Sequence, residues 1–357
     1  MTSRERVEAA LRHEEPDRTP VFEYVLLSPV ADALLGRPYA VDASHWPAVL
    51  DALGWERAVR QQAIDSLDLA CLLGHDMMYV CPNPMPARPR IGIEAPPAEI
   101  IDDPVAALIK RNEDARATPA APPDESLLIY AFLAEEMARR GVDLPVLAPA
   151  YAHGVWTDVD LMQTMLIAPD VAHDHFELAT RTAFGRIDKY VALGVDQIGV
   201  GGDFAGTRPL IAPESYRAFI MPEVRACSRR VHEAGRWAVN ASDGDLWSVI
   251  DDFLIGCEVD GYLEIDLFAG MDLARLKQAY GGRIALYGNL DCGNMLTFGT
   301  PDEIRQATIR CLEAGQGAGG HILCASNAIT ASVSVDNYLA VVHAYRDYFG
   351  LPRIVLP

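Results

Sequence analysis

Gly194-Val-Asp-Gln-Ile-Gly-Val-Gly-Gly-Asp203 carries three signals in one short run. Gly194-Val-Asp196 suits a helix C-cap followed by a tight turn, because glycine takes the left-handed conformation without steric cost. Gln197–Gly201 is a short apolar run of the length of a buried strand. Gly202-Asp203 then leaves that strand with backbone freedom and a polar group. Downstream, Pro213–Ala234 places Tyr216, Phe219, Ile220, Val224 and Val231 at helical spacing. Helix end, strand, loop and helix form the repeating unit of a parallel α/β fold.

Working outward, Gly141-Val-Asp143 introduces another run in the same way, and eight candidate strands emerge. They are Thr19–Tyr24, Asp76–Val80, Leu144–Ala148, Gln197–Gly201, Trp237–Asn240, Gly261–Ile265, Ile284–Gly288 and His321–Ala325. Most are separated by stretches of helical period, such as Pro301–Ala314 behind a Thr300 cap. Eight strand-helix units in 357 residues favour a closed (β/α)8 TIM barrel over an open doubly wound sheet. The rhythm breaks after the second strand, where residues 81–143 are too long for one crossover and predict an insertion. Its front, Pro82–Arg90, is too rich in proline for helix and predicts an extended excursion over the barrel mouth. Ser126–Arg140 reads as helix. No repeat or linker interrupts the chain, so one domain over 1–357 is expected.

Thirty Lys and Arg against 50 Asp and Glu give a formal charge of -20. Such a chain repels nucleic acid and anionic membrane. It also disfavours a highly anionic substrate, unless arginines gather locally. No apolar run approaches the roughly 20 residues of a membrane span, and a charged N-terminus does not resemble a signal peptide. A cytoplasmic protein is expected. Seven cysteines, an odd number without a CxxC pair, predict free thiols.

Gly315-Gln-Gly-Ala-Gly-Gly320 satisfies GxGxxG, but it follows a helix and enters a strand, the reverse of a dinucleotide site. It predicts an αβ turn. His173-Asp-His175 fails as a zinc motif, because residues two apart on a helix diverge. His75 and His153 lie near strand ends, where a hydrogen-bonded structural role is the default and a site role the alternative.

Polar residues recur where the strands finish. They are Glu23 and Tyr24, Asp76, Tyr151 and His153, Asp203, Asp243, Glu264, Asn289 with Asp291, and Asn327. Barrel enzymes build their sites at the strands' C-terminal ends, and a cluster of enclosed polar groups is what a binding site requires. Asp and Asn also cap helices, and Asp203 and Asp291 suit either role.

At these residues a family resemblance enters. Met1-Thr-Ser-Arg-Glu-Arg-Val-Glu-Ala-Ala-Leu-Arg-His-Glu-Glu-Pro-Asp-Arg-Thr-Pro-Val21 resembles the opening of uroporphyrinogen-decarboxylase-like proteins. Gly202-Asp-Phe-Ala-Gly-Thr207, Ala241-Ser-Asp-Gly-Asp245, Ala269-Gly-Met-Asp-Leu273, Tyr287-Gly-Asn-Leu-Asp291 and Asp336-Asn-Tyr338 are similar to the same superfamily. The resemblance implies a TIM barrel, often dimeric, among decarboxylases and corrinoid-linked methyltransferases. In the porphyrin decarboxylases arginines after the first strand hold a polycarboxylate; here Glu23–Ser28 has none before Arg37. Asp76 matches their aspartate, while their late histidine falls on Asn327. Zinc methyltransferases of the superfamily use a His-x-Cys and a later Cys, positions that read Ala241, Asp243 and Asn327 here. No zinc is expected.

The expectation is therefore an enzyme moving a methyl group between a small methoxylated or methylated compound and a corrinoid (cobalamin) on a partner protein. Asp243 or Glu264 would be the proton donor to the leaving oxygen. Asp76, Asp203, Tyr151 and Asn327 would orient the substrate, joined by Glu23, Tyr24, His153 and Asn289. Met77, Phe204, Trp247 and Phe268 would supply apolar walls. The alternatives are decarboxylation of a smaller acid, with Asp76 steadying a cationic intermediate, and a non-catalytic binding barrel.

Overall fold

The structure is a computed structural model and describes residues 1–86 and 101–356. Seven strands form one parallel sheet in chain order: β1 (Met78–Tyr79), β2 (Val146–Pro149), β3 (Gln197–Gly199), β4 (Trp237–Ala241), β5 (Gly261–Leu263), β6 (Ala285–Tyr287) and β7 (His321–Ile322). Each falls on a candidate run, with ends moved by a few residues. The first run, Thr19–Tyr24, forms no regular strand but closes the curled sheet through Val21. Leu323 N donates to Pro20 O at 2.8 Å and Phe22 N to Leu323 O at 3.1 Å, while on the other side Asp76 N donates to Val21 O at 2.7 Å. Pro20 has no N–H, which helps keep this stave from pairing further. The architecture is a TIM-type α/β barrel.

The Gly-x-Asp signal marks the bottom of the barrel, the N-terminal ends of the strands. Gly74, Gly141 and Gly194 all take positive φ at helix ends. The aspartates that follow tie neighbouring staves together: Asp76 accepts from Val21 N and Asp196 from Val146 N. Arg4 bridges Asp143 and Asp196, and Arg6 and Arg18 pair with Asp76. Helix Ser3–Leu11 supplies Arg4 and Arg6, and its Val7, Ala10 and Leu11 pack onto the barrel interior with Phe22, Met77, Leu147, Val239, Leu263, Tyr287 and Ile322. The bottom is therefore plugged and charge-paired, and any ligand must enter from the top.

The insertion carries helices Pro104–Ala117 and Leu128–Arg140. Residues 82–86 have no regular structure, as their prolines require, and Asn83 stitches them to Glu125 O and Ile129 N. The remainder of the expected excursion, 87–90, lies outside the described residues. The Pro213–Ala234 helix is present with a widened π turn at Tyr216–Ile220, just before Pro222, whose missing N–H cannot bond back to that turn. Gly315–Gly320 is the αβ turn expected, with Gly319 N donating to Glu15. Among the described residues, no helix is long and apolar enough to cross a membrane.

Candidate active site at the barrel mouth

A cavity of about 310 Å3 opens at the top of the barrel. Leu147, Val239 and Leu263 form its floor, which is the upper layer of the barrel core. Tyr24, Tyr79, Trp156, Asp203 and Glu264 are the functional side chains on its wall. That volume lies within the range of small-molecule sites.

Three carboxyl groups gather at this mouth from three successive loops, Asp203 and Glu264 lining the cavity and Asp243 bonded to Asp203. Asp203 follows β3, Asp243 follows β4 and Glu264 follows β5. Asp203 accepts the Asp243 backbone N–H at 2.8 Å, and Asp243 accepts the Asn327 side-chain amide from the loop after β7. Glu264 is 7% exposed and sits beside the Tyr24 hydroxyl. Its φ of 69° is the left-handed region, a strained conformation for a non-glycine residue that costs on the order of 1 kcal/mol.

Two glycines permit this closeness. A Cβ on Gly201 would lie 1.7 Å from Asn240 Oδ1, and one on Gly244 would lie 2.3 Å from Gly206 O. Gly244 also has a φ of 93°.

The electrostatics follow from burial without counter-charge. Among the described residues no Lys, Arg or His forms an ion pair with Asp203, Asp243 or Glu264. Burial first, then the neighbouring charges of Asp203 and Asp266, push the Asp243 carboxyl up to about 7, opposed by the Asn327 hydrogen bond. Burial and the charges of Asp203 and Asp243 raise Glu264 well above the usual carboxylate range. Asp203 is raised by burial and held back by the Asp243 amide. A carboxyl raised to about 7, as at Asp243, exchanges its proton near neutrality, which is what general acid chemistry needs. Among the described residues, no three His, Cys, Asp or Glu side chains converge in a way that could hold a metal ion.

Several expected site residues lie elsewhere. Asp76 precedes β1, so it sits at the barrel's bottom, fully buried and hydrogen-bonded to Arg6, Arg18, Ser3 and Val21 N. It is a structural anion, not a rim residue. Asn289 points outward into the shell, donating to Met271 O, and borders a separate flank cavity. Phe204 is buried against Tyr216 and Phe253, and Met77 belongs to the barrel core. Trp247 donates to Gly270 O beneath Arg275, and Phe268 is 68% exposed. None of these lines the mouth cavity.

His153 is buried, bonds Gly202 O at 2.6 Å and is lowered to about 4 by burial, so it braces the Gly201–Asp203 loop as a neutral ring. Tyr151 borders the cavity, but its hydroxyl lies toward Glu223 and Cys227 behind the wall. Glu23 accepts from Ala325 N and Tyr24 N, and burial raises it to about 8; it borders a second, smaller pocket that shares Tyr24 and Tyr79. Tyr79 and Trp156 were not among the expected residues. Tyr79 could have been found as the last residue of β1, at the strand end that faces the mouth.

Sequence comparison places this mouth in a known lineage. Residues 148–348 match the uroporphyrinogen decarboxylase (URO-D) family model, more than half of the chain. The chain belongs to the URO-D family. The matched segment runs from β2 to the C-terminal helix and includes Asp203, Asp243, Glu264 and Asn327. A uroporphyrinogen decarboxylase from Bordetella petrii is 28% identical over 311 residues, covering 80% of this chain and 81% of that one. One from Coxiella burnetii is 25% identical over 248 residues, so the match spans 65% of that relative's length. The fold is shared with a methyltransferase from Methanosarcina mazei, at a TM-score of 0.66 and 16% identity, covering 98% of this chain and 99% of the other. URO-D membership thus agrees with the resemblance drawn from the opening residues and the strand-end motifs.

Proposed function

We propose that this URO-D family chain transfers a methyl group between a small methoxylated or methylated compound and a corrinoid carried by a partner protein. The observation that supports it is the pair Asp243 and Glu264: Glu264 lines a cavity with no cation among the described residues, Asp243 is bonded through its N–H to Asp203 on the same wall, and burial raises Asp243 to about 7 and Glu264 well above the usual carboxylate range. Breaking a carbon–oxygen bond to methyl leaves an oxygen that must receive a proton, and a raised carboxylic acid supplies one. Asp243 is the preferred donor, because Asn327 fixes one of its oxygens and its pKa of about 7 lets it recover the proton. Asp203 holds the Asp243 loop through its N–H, and Glu264 and Tyr24 border the substrate.

A corrinoid bound to a partner would supply the nucleophilic metal that accepts the methyl. Exposed Trp156, Leu267 and Phe298, in the segments that follow β2, β5 and β6, give apolar surface suited to meeting such a partner.

The family name favours a decarboxylase reading, but among the described residues this cavity offers no arginine to a polycarboxylate, whose desolvation would go uncompensated. The version that relied on Asp76 has lost its residue to the barrel's bottom. Incubating the protein with cob(I)alamin and a panel of methoxyaromatics should convert the spectrum to methylcobalamin; no conversion with any member of the panel rejects the proposal.

A further inference from the structure

We propose that the mouth cavity binds an organic cation, a methyl-substituted ammonium group, between the carboxyl groups of Asp203 and Glu264, with Asp243 bonded to Asp203 beside them, and the rings of Tyr24, Tyr79 and Trp156. The inference deepens the preceding one by naming a substrate class, and rests on the same cavity being the substrate site.

Three observations carry it. Among the described residues, acidic groups gather there without a counter-ion, although the chain pairs its acids with arginine elsewhere, as at Asp76 and Asp196. Glu264 is more than nine-tenths buried on the cavity wall, touched by the Tyr24 hydroxyl and, among the described residues, by no cation. Tyr24 and Tyr79 lie with ring centroids 4.5 Å apart at an interplanar angle of 61°, and Trp156 borders the same space. Aromatic walls with nearby carboxylates are the surroundings that attract a weakly hydrated quaternary or tertiary ammonium, through ring quadrupoles and direct charge. An anion meets repulsion, and a neutral ether gains no charge–charge attraction from the carboxylates.

A bound cation also relieves the repulsion among the acids. The titratable groups facing Asp243 are Asp203, Asp266, Glu264 and Tyr262, with the Asn327 amide opposite them. A cation beside them favours the Asp243 carboxylate, whose pKa burial and the neighbouring acids push up to about 7, so its binding releases protons near pH 7.

The test uses the full chain and an isosteric pair, choline and 3,3-dimethylbutan-1-ol, titrated calorimetrically at pH 8. Choline should bind at least about tenfold more tightly than the neutral alcohol. At pH 7 its heats should vary with buffer ionisation enthalpy in the sense of proton release. Glu264→Gln and Asp203→Asn should each weaken choline several-fold and leave the alcohol unchanged. If those variants fail to fold, the wild-type affinity ratio and the proton release decide.

Equal affinities, or no choline binding, overturn the inference. So does specific displacement of choline by Mg2+ beyond a NaCl control of equal ionic strength, which would mark a metal site. Choline binding without methylcobalamin formation from any donor keeps this inference and removes methyl transfer. Methylcobalamin from methoxyaromatics without choline binding does the reverse.

Discussion

Asn327 donates its side-chain amide to Asp243 across the barrel mouth, joining the loop after β7 to the loop after β4. The bond favours the carboxylate, so it holds the Asp243 pKa below where burial and Asp203 would put it. In the proposed reaction with a methoxylated substrate, kcat/KM should fall as pH rises through about 7, as Asp243 loses its proton. Asn327→Leu should move that limb to higher pH. A profile with no limb near 7, or one that Asn327→Leu leaves in place, would remove Asp243 from the acid role.

Asp243 should also limit stability. Its folded pKa of about 7 lies above the ordinary 3.8, so the folded state binds the proton more tightly. At low pH both states are protonated and nothing is lost. The penalty grows between the two values and is complete above the upper one. Asp243→Asn should therefore be more stable than wild type at pH 8, by on the order of 2 kcal/mol once solvent screening is allowed for, and equal to it near pH 4. Urea unfolding at the two pH values measures this. The same variant should lose about 100-fold or more in kcat.

Asp76 should behave in the opposite way. Removing a buried anion that pairs Arg6 and Arg18 leaves buried positive charge. Asp76→Ala should cost about 3 kcal/mol or more in urea unfolding. Because the site lies at the far end of the barrel, kcat of the folded protein should change by less than about twofold, within the scatter of indirect effects. A large loss of kcat in well-folded protein would return Asp76 to the chemistry.

Gly201→Ala should be poorly tolerated, since the new Cβ falls on Asn240 Oδ1, an atom that accepts the Ala241 N–H. Displacing it disturbs the start of the loop that carries Asp243. A destabilisation of about 2 kcal/mol is expected, read as a lowered thermal midpoint. An unchanged midpoint would mean that β3 and β4 can separate at no cost.

Much of the candidate site's placement was legible. Asp203, Asp243, Glu264 and Asn327 each follow an apolar run, and a parallel barrel brings such ends to one face. Asp76 opens its run, and in a parallel strand the first and last residues lie at opposite ends of the barrel. Strand position alone therefore misplaced it, and Tyr79, at the same strand's end, went unnoticed. Phe204 and Asn289 stand at the correct height but turn outward into the helical shell, and Trp247 caps a loop beneath Arg275. Loop residues have no fixed period from which an inward or outward direction can be read.

The sequence by itself determined the alternation of strand and helix, the closed α/β architecture and the absence of arginine between Glu23 and Ser28. These depend on local periodicity and composition, which neighbours along the chain carry. Only the tertiary structure decided which polar groups face one another, which acids lack a counter-charge, and that Asp76 is salt-bridged to the N-terminal helix. Those are contacts between residues tens to hundreds of positions apart, and their energies depend on burial that no single segment encodes.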